Sequence, residues 1–366
     1  MKKNIWFITY DFFPYIWWIW VYCHNIYNQF MSKWIDNFIV FSPAKNELKN
    51  HVQILENYWY DTITKNYWAS LALNLQIKKL IEQYDLWMIH INWGVWSFFL
   101  LQDLWIPLIY TVHQTYQQQY TYIPGHQWQR VMFYIEKYWY KSADLLIADC
   151  WDTKENLEKY YNAKWKVDVI PCWINLSDYT LSNETIKKKN VITYIWRLWT
   201  RKWILWLVES MKHIVKRNPE IILQIAWRWK LEHKLKEIIK RDNIESNINF
   251  LWFIDEEDKK RIIAESQLLI VPSIFEWFWI IVIEWMALKT VVLWTNSPGI
   301  RSLITHWKNW LLVDYWDTQW LVDMVLNWLE WTNSDSIITN WRNSVEAYYT
   351  WEKVANQLLD TYDQFI

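Results

Sequence analysis

Two carboxylates, two cations and one histidine in this chain have the residue types and surroundings that gripping a sugar or a phosphate requires. Glu276 and Glu284 are separated by seven residues. Glu276 falls in a turn, and Glu284 about one helical turn inside the helix that follows. Carboxylates accept hydrogen bonds from hydroxyls in pairs, so the two could hold a carbohydrate or a ribose. Two glutamates at this spacing are common. Set between Glu276-Trp277-Phe278-Trp279 and Met286-Ala287, the pair becomes specific. Arg197 and Lys202 closely follow the apolar run Val191 to Ile195. A rigid bidentate donor and a point charge there would neutralise a diphosphate, the alternative being solvated surface charge. His113 ends the run Leu108 to Val112, where α/β sheets place ligands. His90, in the run Met88 to Ile91, reads instead as a core or turn histidine.

These side chains need strand ends and helix starts to hold them, and tryptophan crowds those places. Trp17, Trp18 and Trp20 follow the first strand-like run and precede a helix. Trp196 and Trp199 stand in the same relation to Val191–Ile195, and Trp277 and Trp279 precede the helix that carries Glu284. Glycines at such positions would form turns that present backbone N–H groups and a positive helix end, an arrangement that holds phosphate. Ordinary tight turns are the plainer reading of any single cluster.

The chain has 35 tryptophans and 3 glycines. Ordinary usage of about 7% would give roughly 26 glycines at this length. Tryptophan also follows the apolar runs in Phe250-Leu251-Trp252 and Val291-Val292-Leu293-Trp294, where a strand-end glycine is expected, and flanks polar turn residues in His306-Trp307-Lys308-Asn309-Trp310 and Tyr315-Trp316-Asp317. Only glycine takes φ > 0 freely, and a bulky indole has no physical rationale there. Most of these tryptophans are therefore expected to stand for glycine. A UGA codon that the organism reads as glycine would give this pattern when read as tryptophan. The wealth of Ile, Lys, Asn and Tyr fits an AT-rich gene in which UGA is favoured.

Lys and Arg total 38 against 39 Asp and Glu, a net charge of -1, so nothing calls for nucleic acid. Cys23, Cys150 and Cys172 lie far apart without a Cys-x-x-Cys, which suits a reducing cytoplasm and argues against disulfides or zinc. Met1-Lys2-Lys3-Asn4 leads straight into a strand-like run, so no signal peptide is expected. No apolar stretch of 18 residues appears, so no spanning helix is expected either.

Short apolar runs alternate with amphipathic stretches. Ile5 to Thr9, Phe38 to Phe41, Met88 to Ile91, Leu108 to Val112, Leu145 to Ala148 and Val167 to Ile170 read as buried strands. Tyr22 to Lys33 and Gln127 to Lys141 read as helices. The polar segment Thr180 to Asn190 breaks the pattern, which then restarts. Val191 to Ile195, Ile221 to Ala226 and Leu268 to Val271 are strand-like, with helices near Ile204 to Lys216 and Lys230 to Lys240. Ser344 to Tyr362 is helical. This alternation predicts an α/β chain of two doubly wound, parallel-sheet domains of similar size.

The whole set resembles the retaining glycosyltransferases of family 4, which have the GT-B fold. The N-terminal run Pro14-Tyr15-Ile16-Trp17-Trp18-Ile19-Trp20-Val21-Tyr22 looks like the family's glycine loop, with Trp read as Gly. Thr111-Val112-His113 looks like its strand-end histidine. Val169-Ile170-Pro171-Cys172-Trp173-Ile174-Asn175 resembles its entry to the second domain, although Cys172 and Asn175 stand where Asn and Asp are common. Ile195-Trp196-Arg197-Leu198 with Arg201-Lys202-Trp203 resembles its phosphate-binding turn. Pro272-Ser273 through Glu276-Trp277-Phe278-Trp279 to Glu284 resembles its donor signature. Tyr349-Thr350-Trp351-Glu352-Lys353-Val354-Ala355 resembles a helix start that carries a genuine Trp, so Trp351 is expected to be encoded by UGG.

The resemblance implies a GT-B fold of two Rossmann-like domains facing a cleft. An acceptor-side domain would span 1–179, a linker 180–190 and a nucleotide-sugar-binding domain 191–344, with a C-terminal helix at about 345–366 packing back on the first domain. It implies a nucleotide-diphosphate-sugar donor, a sugar, polysaccharide or lipid-linked acceptor, and transfer with retained configuration. Glu284 would hold the ribose. Arg197 and Lys202 would stabilise the departing diphosphate in place of a divalent metal, so neither metal nor cofactor is expected. Glu276 and the amides around Phe278 to Ile280 would position the sugar, His113 would approach it from the other domain, and Trp17, Trp18, Trp196, Trp277 and Trp279, as glycines, would line the phosphate path. No side-chain nucleophile is evident. A cytoplasmic location is expected. Basic and aromatic residues around Gln127 to Lys141 leave peripheral membrane contact open. The rivals are another GT-B enzyme, such as a sugar-nucleotide 2-epimerase, and a literal Trp-rich binder of carbohydrate or membrane surfaces.

Overall fold

The computed structural model describes residues 4–9, 18–33, 35–42, 47–54, 63–93, 100, 103–123, 125–164, 166–171, 174, 176–179, 186–195, 203–226, 231–252, 254–273, 280–297, 311–314, 316–330 and 350–365. The chain divides into two compact units, one of Met1–Trp173 with Trp351–Ile366 and the other of Ile174–Thr350.

In the first unit the elements run β1 (Asn4–Ile8), α1 (Trp18–Ser32), β2 (Phe38–Ser42), β3 (His51–Gln53), α2 (Ile63–Gln83) and β4 (Leu86–Trp93). They continue with β5 (Leu108–Val112), α3 (Tyr116–Tyr122), α4 (Arg130–Trp139), β6 (Leu145–Ala148), α5 (Trp151–Tyr160) and β7 (Val167–Val169). The strands form one parallel sheet in the order β3-β2-β1-β4-β5-β6-β7. Parallel strands covered on both faces need unbroken apolar sequence, and all five residues of β5 are buried. Helix α3 starts on a capping box. Thr115 accepts from the Gln118 backbone, and the Gln118 side chain accepts from the Thr115 N–H.

The second unit runs β8 (Lys188–Ile195), α6 (Ile204–Arg217), β9 (Ile222–Ala226), α7 (Glu232–Asp242), β10 (Ile248–Trp252) and α8 (Glu256–Glu265). It continues with β11 (Ser266–Val271), α9 (Ile280–Ala287), β12 (Val291–Thr295), β13 (Leu311–Val313) and α10 (Thr318–Glu330). Its parallel sheet has the order β10-β9-β8-β11-β12-β13. Helix α6 buries Ile204, Leu207, Val208, Met211 and Ile214, one face at helical spacing, and closes on Lys216 and Arg217, which suit its negative end. Helix α8 opens on Asp255, whose side chain accepts from the Asp258 N–H ahead of an acidic first turn.

The last helix, α11 (Trp351–Asp363), belongs to the first unit. It buries Trp351, Val354, Ala355, Leu358 and Tyr362 against that unit, with Trp351 edge-on to Tyr22 of α1. Tyr362 O–H and His90 Nδ1 are 2.5 Å apart, and His90 Nε2 lies 2.7 Å from Thr111 Oγ1. Among the described residues no helix is long and apolar enough to cross a membrane.

Both sheets reverse their strand order between two neighbours, β1 and β4 in one and β8 and β11 in the other. Open α/β sheets bind ligands beyond the carboxyl ends of the strands at such switch points. The chain leaves β8 into the segment with Arg197 and Lys202, and leaves β11 into the segment with Glu276.

Several local expectations need correction. Strand β8 begins at Lys188, inside the segment expected as a linker, because Lys188 pairs with Ser266 of β11. Helix α1 begins at Trp18, so Trp18 and Trp20 are helical rather than turn residues; as written, residues 18–21 hold no helix breaker. Trp294 lies within β12, buried between β11 and β13, where no positive φ is needed. By contrast Trp203, Trp252 and Trp316 adopt φ of 45°, 57° and 70°. Among the described residues the other non-glycine residues with positive φ are Asn, Asp and one Lys, Lys289. A bulky L-residue in that region costs about 1–2 kcal/mol.

Candidate functional site

In the first unit, four strand ends bring polar side chains together. Thr9 follows β1, Asn92 is near the end of β4, His113 follows β5 and Asp149 follows β6. His113 Nε2 lies 2.7 Å from Asn92 Oδ1, and Asn92 Nδ2 donates to Cys23 Sγ at 2.9 Å. The Cys23 thiol in turn donates to Thr9 Oγ1 at 3.3 Å. With the Asn92 amide turned this way, His113 Nε2 carries the hydrogen and donates. On the other side of the ring, His113 Nδ1 lies 3.8 Å from Asp149 Oδ2, both side chains being buried. The Tyr22 ring meets the imidazole edge-on, with centroids 5.0 Å apart. Burial pushes the Asp149 carboxyl above its ordinary value, opposed by its contacts with His113, Thr153 and Cys150. His90, two residues before Asn92 on β4, is a core histidine held on both nitrogens, and burial, aided by His113, depresses it to about 3.

In the second unit the chemistry is ionic. Helix α9 reads Ile-Ile-Val-Ile-Glu-Trp-Met-Ala, and Glu284 is its sole charged residue. Ile283, Trp285, Met286 and Ala287 around it are buried. Glu284 Oε1 accepts from the Tyr179 hydroxyl at 2.7 Å, and Oε2 lies 3.1 Å from Lys259 Nζ. Lys259 also meets Glu256 at 3.0 Å. Burial alone would lower the Lys259 ammonium, but Glu284 and Glu256 outweigh it and hold its pKa above the ordinary value. Burial and then the charge of Glu284 push the Tyr179 phenol well up.

The structure thus describes His113 and Glu284 with their side chains, and Trp18 and Ile280 as the first backbone positions of α1 and α9. Trp17, Trp196, Arg197, Lys202, Glu276, Trp277, Phe278 and Trp279 lie outside the described residues, as do Cys172 and Asn175. Among the described residues no three His, Cys, Asp or Glu side chains converge as metal ligands would, and no metal centre is assigned to them.

Sequence reading missed Tyr179, Lys259, Asn92 and Asp149. Asp149 carried a usable signal, an acid directly after the apolar strand Leu145–Ala148, where ligands gather. Lys259 carried none, since it sits in the unbroken charged run Glu256 to Arg261, which reads as a solvated face.

The sequence matches two families in tandem, Glycosyltransferase Family 4 over residues 19–178 and Glycosyl transferases group 1 over residues 180–341. The chain is a GT-B, glycosyltransferase family 4-like protein. Sucrose-phosphate synthase from Thermosynechococcus elongatus has the same fold, with a TM-score of 0.76, 18% identity and 99% of each chain covered. Anabaena HepE, solved in complex with UDP-glucose, superposes with a TM-score of 0.67 at 15% identity, over 99% of this chain and 100% of that one. An uncharacterized glycosyltransferase of Methanocaldococcus jannaschii is 25% identical over 228 residues, 61% of this chain and 58% of the relative. The chain thus spans just over half the length of that curated relative. In this family 4-like chain the two sheets are the two Rossmann-like halves of the GT-B fold.

Proposed function

We propose that this protein transfers a sugar from a nucleotide-diphosphate-sugar to an acceptor hydroxyl with retention of configuration, in the synthesis of a glycan, polysaccharide or glycolipid. The observation that carries the reading is the order of parts after the switch-point strands. Arg197 and Lys202 follow β8, Glu276 follows β11, and Glu284 stands on α9 in an ion pair. The UDP-glucose bound by Anabaena HepE supports the same donor class.

In the proposed reaction the acceptor oxygen forms a bond to the anomeric carbon as the bond from that carbon to the diphosphate breaks. The electron pair leaves with the nucleoside diphosphate, and the acceptor proton passes to the departing phosphate oxygen on the same face. Arg197 and Lys202 stabilise the charge that develops there, without a divalent metal, and Glu276, Glu284 and His113 position the donor. Supplying UDP-, GDP- and ADP-sugars with and without acceptor sugars, in the presence of EDTA, tests this. Acceptor-dependent release of nucleoside diphosphate and an α-linked product from an α-linked donor are expected. Turnover without acceptor would favour an epimerase, and an inverted product would overturn retention.

We also propose that most tryptophans in the sequence stand for glycine. The positive φ of Trp203, Trp252 and Trp316 supports this, as does the crowding of Trp203 and Trp316, whose ring centroids lie 3.9 Å apart, closer than aromatic pairs prefer. The indole N–H groups of Trp6 and Trp294 are buried with no acceptor among the described residues. Peptide mass spectrometry of the protein from its own organism is expected to find Gly at 17, 18, 196, 203, 252, 277, 279 and 316 and Trp at 351. Tryptophan throughout would sink the idea.

The proposed membrane contact falls on α4. Val131, Tyr134, Ile135 and Tyr138 are exposed at helical spacing, with exposed Arg130 and Lys141 at the ends of the stripe. Tyr and aliphatic residues beside basic ones suit an anionic lipid interface. Co-sedimentation with phosphatidylglycerol vesicles, lost in Val131→Glu/Ile135→Glu, is the expected result; a soluble dimer with no vesicle binding would overturn it.

A further inference from the structure

Glu284 is the one charge on an otherwise apolar helix, and two distant segments of the second unit reach it. Tyr179 ends the short 3-10 turn Leu176–Tyr179, and Lys259 lies in the first turn of α8. Each takes a different oxygen of the carboxylate, the phenol donating to Oε1 at 2.7 Å and the ammonium to Oε2 at 3.1 Å. Both partners are themselves held. Lys259 meets Glu256, and Lys260 lies 5.7 Å over the Tyr179 ring. The side chains of Lys259 and Glu284 are only 16% and 13% exposed.

A carboxylate has about four acceptor positions, two on each oxygen. Its terminal torsion is otherwise broad, so an unheld glutamate presents its oxygens in many directions. Among the described residues each oxygen has one donor, which fixes the plane of the group and leaves one acceptor position per oxygen. Two hydroxyls on neighbouring carbons present two O–H donors to the two oxygens of one carboxylate. We propose that Tyr179 and Lys259 are positioning residues that clamp the Glu284 carboxylate so that its remaining acceptor positions meet the vicinal hydroxyls of a ribose. This rests on the reading of Glu284 as a donor-binding residue and adds what orients it.

The test compares purified full-length protein with Tyr179→Phe, Lys259→Met and Lys259→Arg. UDP, GDP and ADP are titrated calorimetrically, and the tightest is compared with its 2′-deoxy counterpart. A hydrogen bond to a charged group is worth about tenfold or more in affinity, so the unaltered protein should prefer the ribonucleotide by about that factor. Tyr179→Phe and Lys259→Met are expected to reduce the preference to about threefold or less while leaving 2′-deoxynucleotide affinity unchanged. Lys259→Arg should retain most of it.

Equal losses for both nucleotides would mean that the two residues only support the fold, and would overturn the proposal. Tighter ribonucleotide binding by Tyr179→Phe would make Tyr179 a competitor for the carboxylate, and would overturn it as well. Failure of the unaltered protein to bind any of the three nucleotides would instead overturn the functional reading beneath it.

Discussion

The strand ends around His113 and the helix around Glu284 solve the burial of polar groups in opposite ways. Around His113 the groups are buried and answer one another in a chain, from Thr9 through Cys23 and Asn92 to the imidazole, with Asp149 beyond. Around Glu284 full charges are used, in a partly exposed ion pair braced by a phenol. In the first arrangement hydrogen bonds run from Thr9 to His113 Nε2 and hold the ring from that side, while the buried Asp149 carboxylate beyond it has no hydrogen-bond partner among the described residues. A partly exposed carboxylate keeps acceptor capacity, so the second is ready to take more hydroxyls. The two regions are expected to fail differently when cut, one through stability and the other through binding.

The sharpest break in the comparison is Glu284→Ala. Losing two charge-assisted hydrogen bonds, about 1.5–3 kcal/mol each, should lower kcat/KM by about 100-fold or more, with the urea midpoint little changed. A large stability loss with intact kcat/KM would reverse the roles of the two regions. Asp149→Ala probes the other side. It removes a buried carboxyl beside His113 and should cost about 1–3 kcal/mol of folding stability in urea titrations. A midpoint equal to that of the unaltered protein would show that the pair does not brace the network.

The pH dependence sharpens the contrast further. His90 is depressed to about 3 in the folded protein by burial, then by His113. Its pKa is therefore higher in the unfolded chain, which takes up the proton first as pH falls. The stability this histidine contributes is full above its unfolded pKa of about 6.5. It should decline by about 1.4 kcal/mol per pH unit below that, until the folded value is reached. Urea midpoints from pH 7 to 5 should fall more steeply in the unaltered protein than in His90→Asn; parallel curves would rule this out. The smallest effect is expected from Tyr362→Phe, which loses one neutral hydrogen bond to His90, worth about 1 kcal/mol. Faster amide exchange in α11 than in the rest of the unit should report it.

Much of the frame was legible in the chain. Leu108–Val112 and Leu145–Ala148 are strands at the expected residues because covered parallel strands must be apolar throughout. Gln127 to Lys141 was less clear. It divides into a 3-10 turn at Gln127–Gln129 and α4, a change of hydrogen-bond register that apolar spacing does not report. Trp294 was misplaced because a strand end and a turn share the same neighbours in sequence. Trp252 and Trp316 show the left-handed backbone that turn chemistry anticipates. His113 and Glu284 were visible from their places after a strand and inside a helix, but their partners were not.

By itself the sequence determined the alternation of strands and helices, the division into two α/β halves, and which residues stand beyond the strand ends. These depend on apolar periodicity and on short-range chain order. Only the tertiary structure decided who touches whom. Tyr179 reaches Glu284 across 105 positions, and His90 reaches Tyr362 across 272. The register of parallel strands and the docking of α11 set those meetings, and neither leaves a local mark in the chain. The anomalous tryptophans lie between the two. Their number is a fact of sequence, while the left-handed backbone at Trp203, Trp252 and Trp316 stands where a strand end or a helix start must turn the chain.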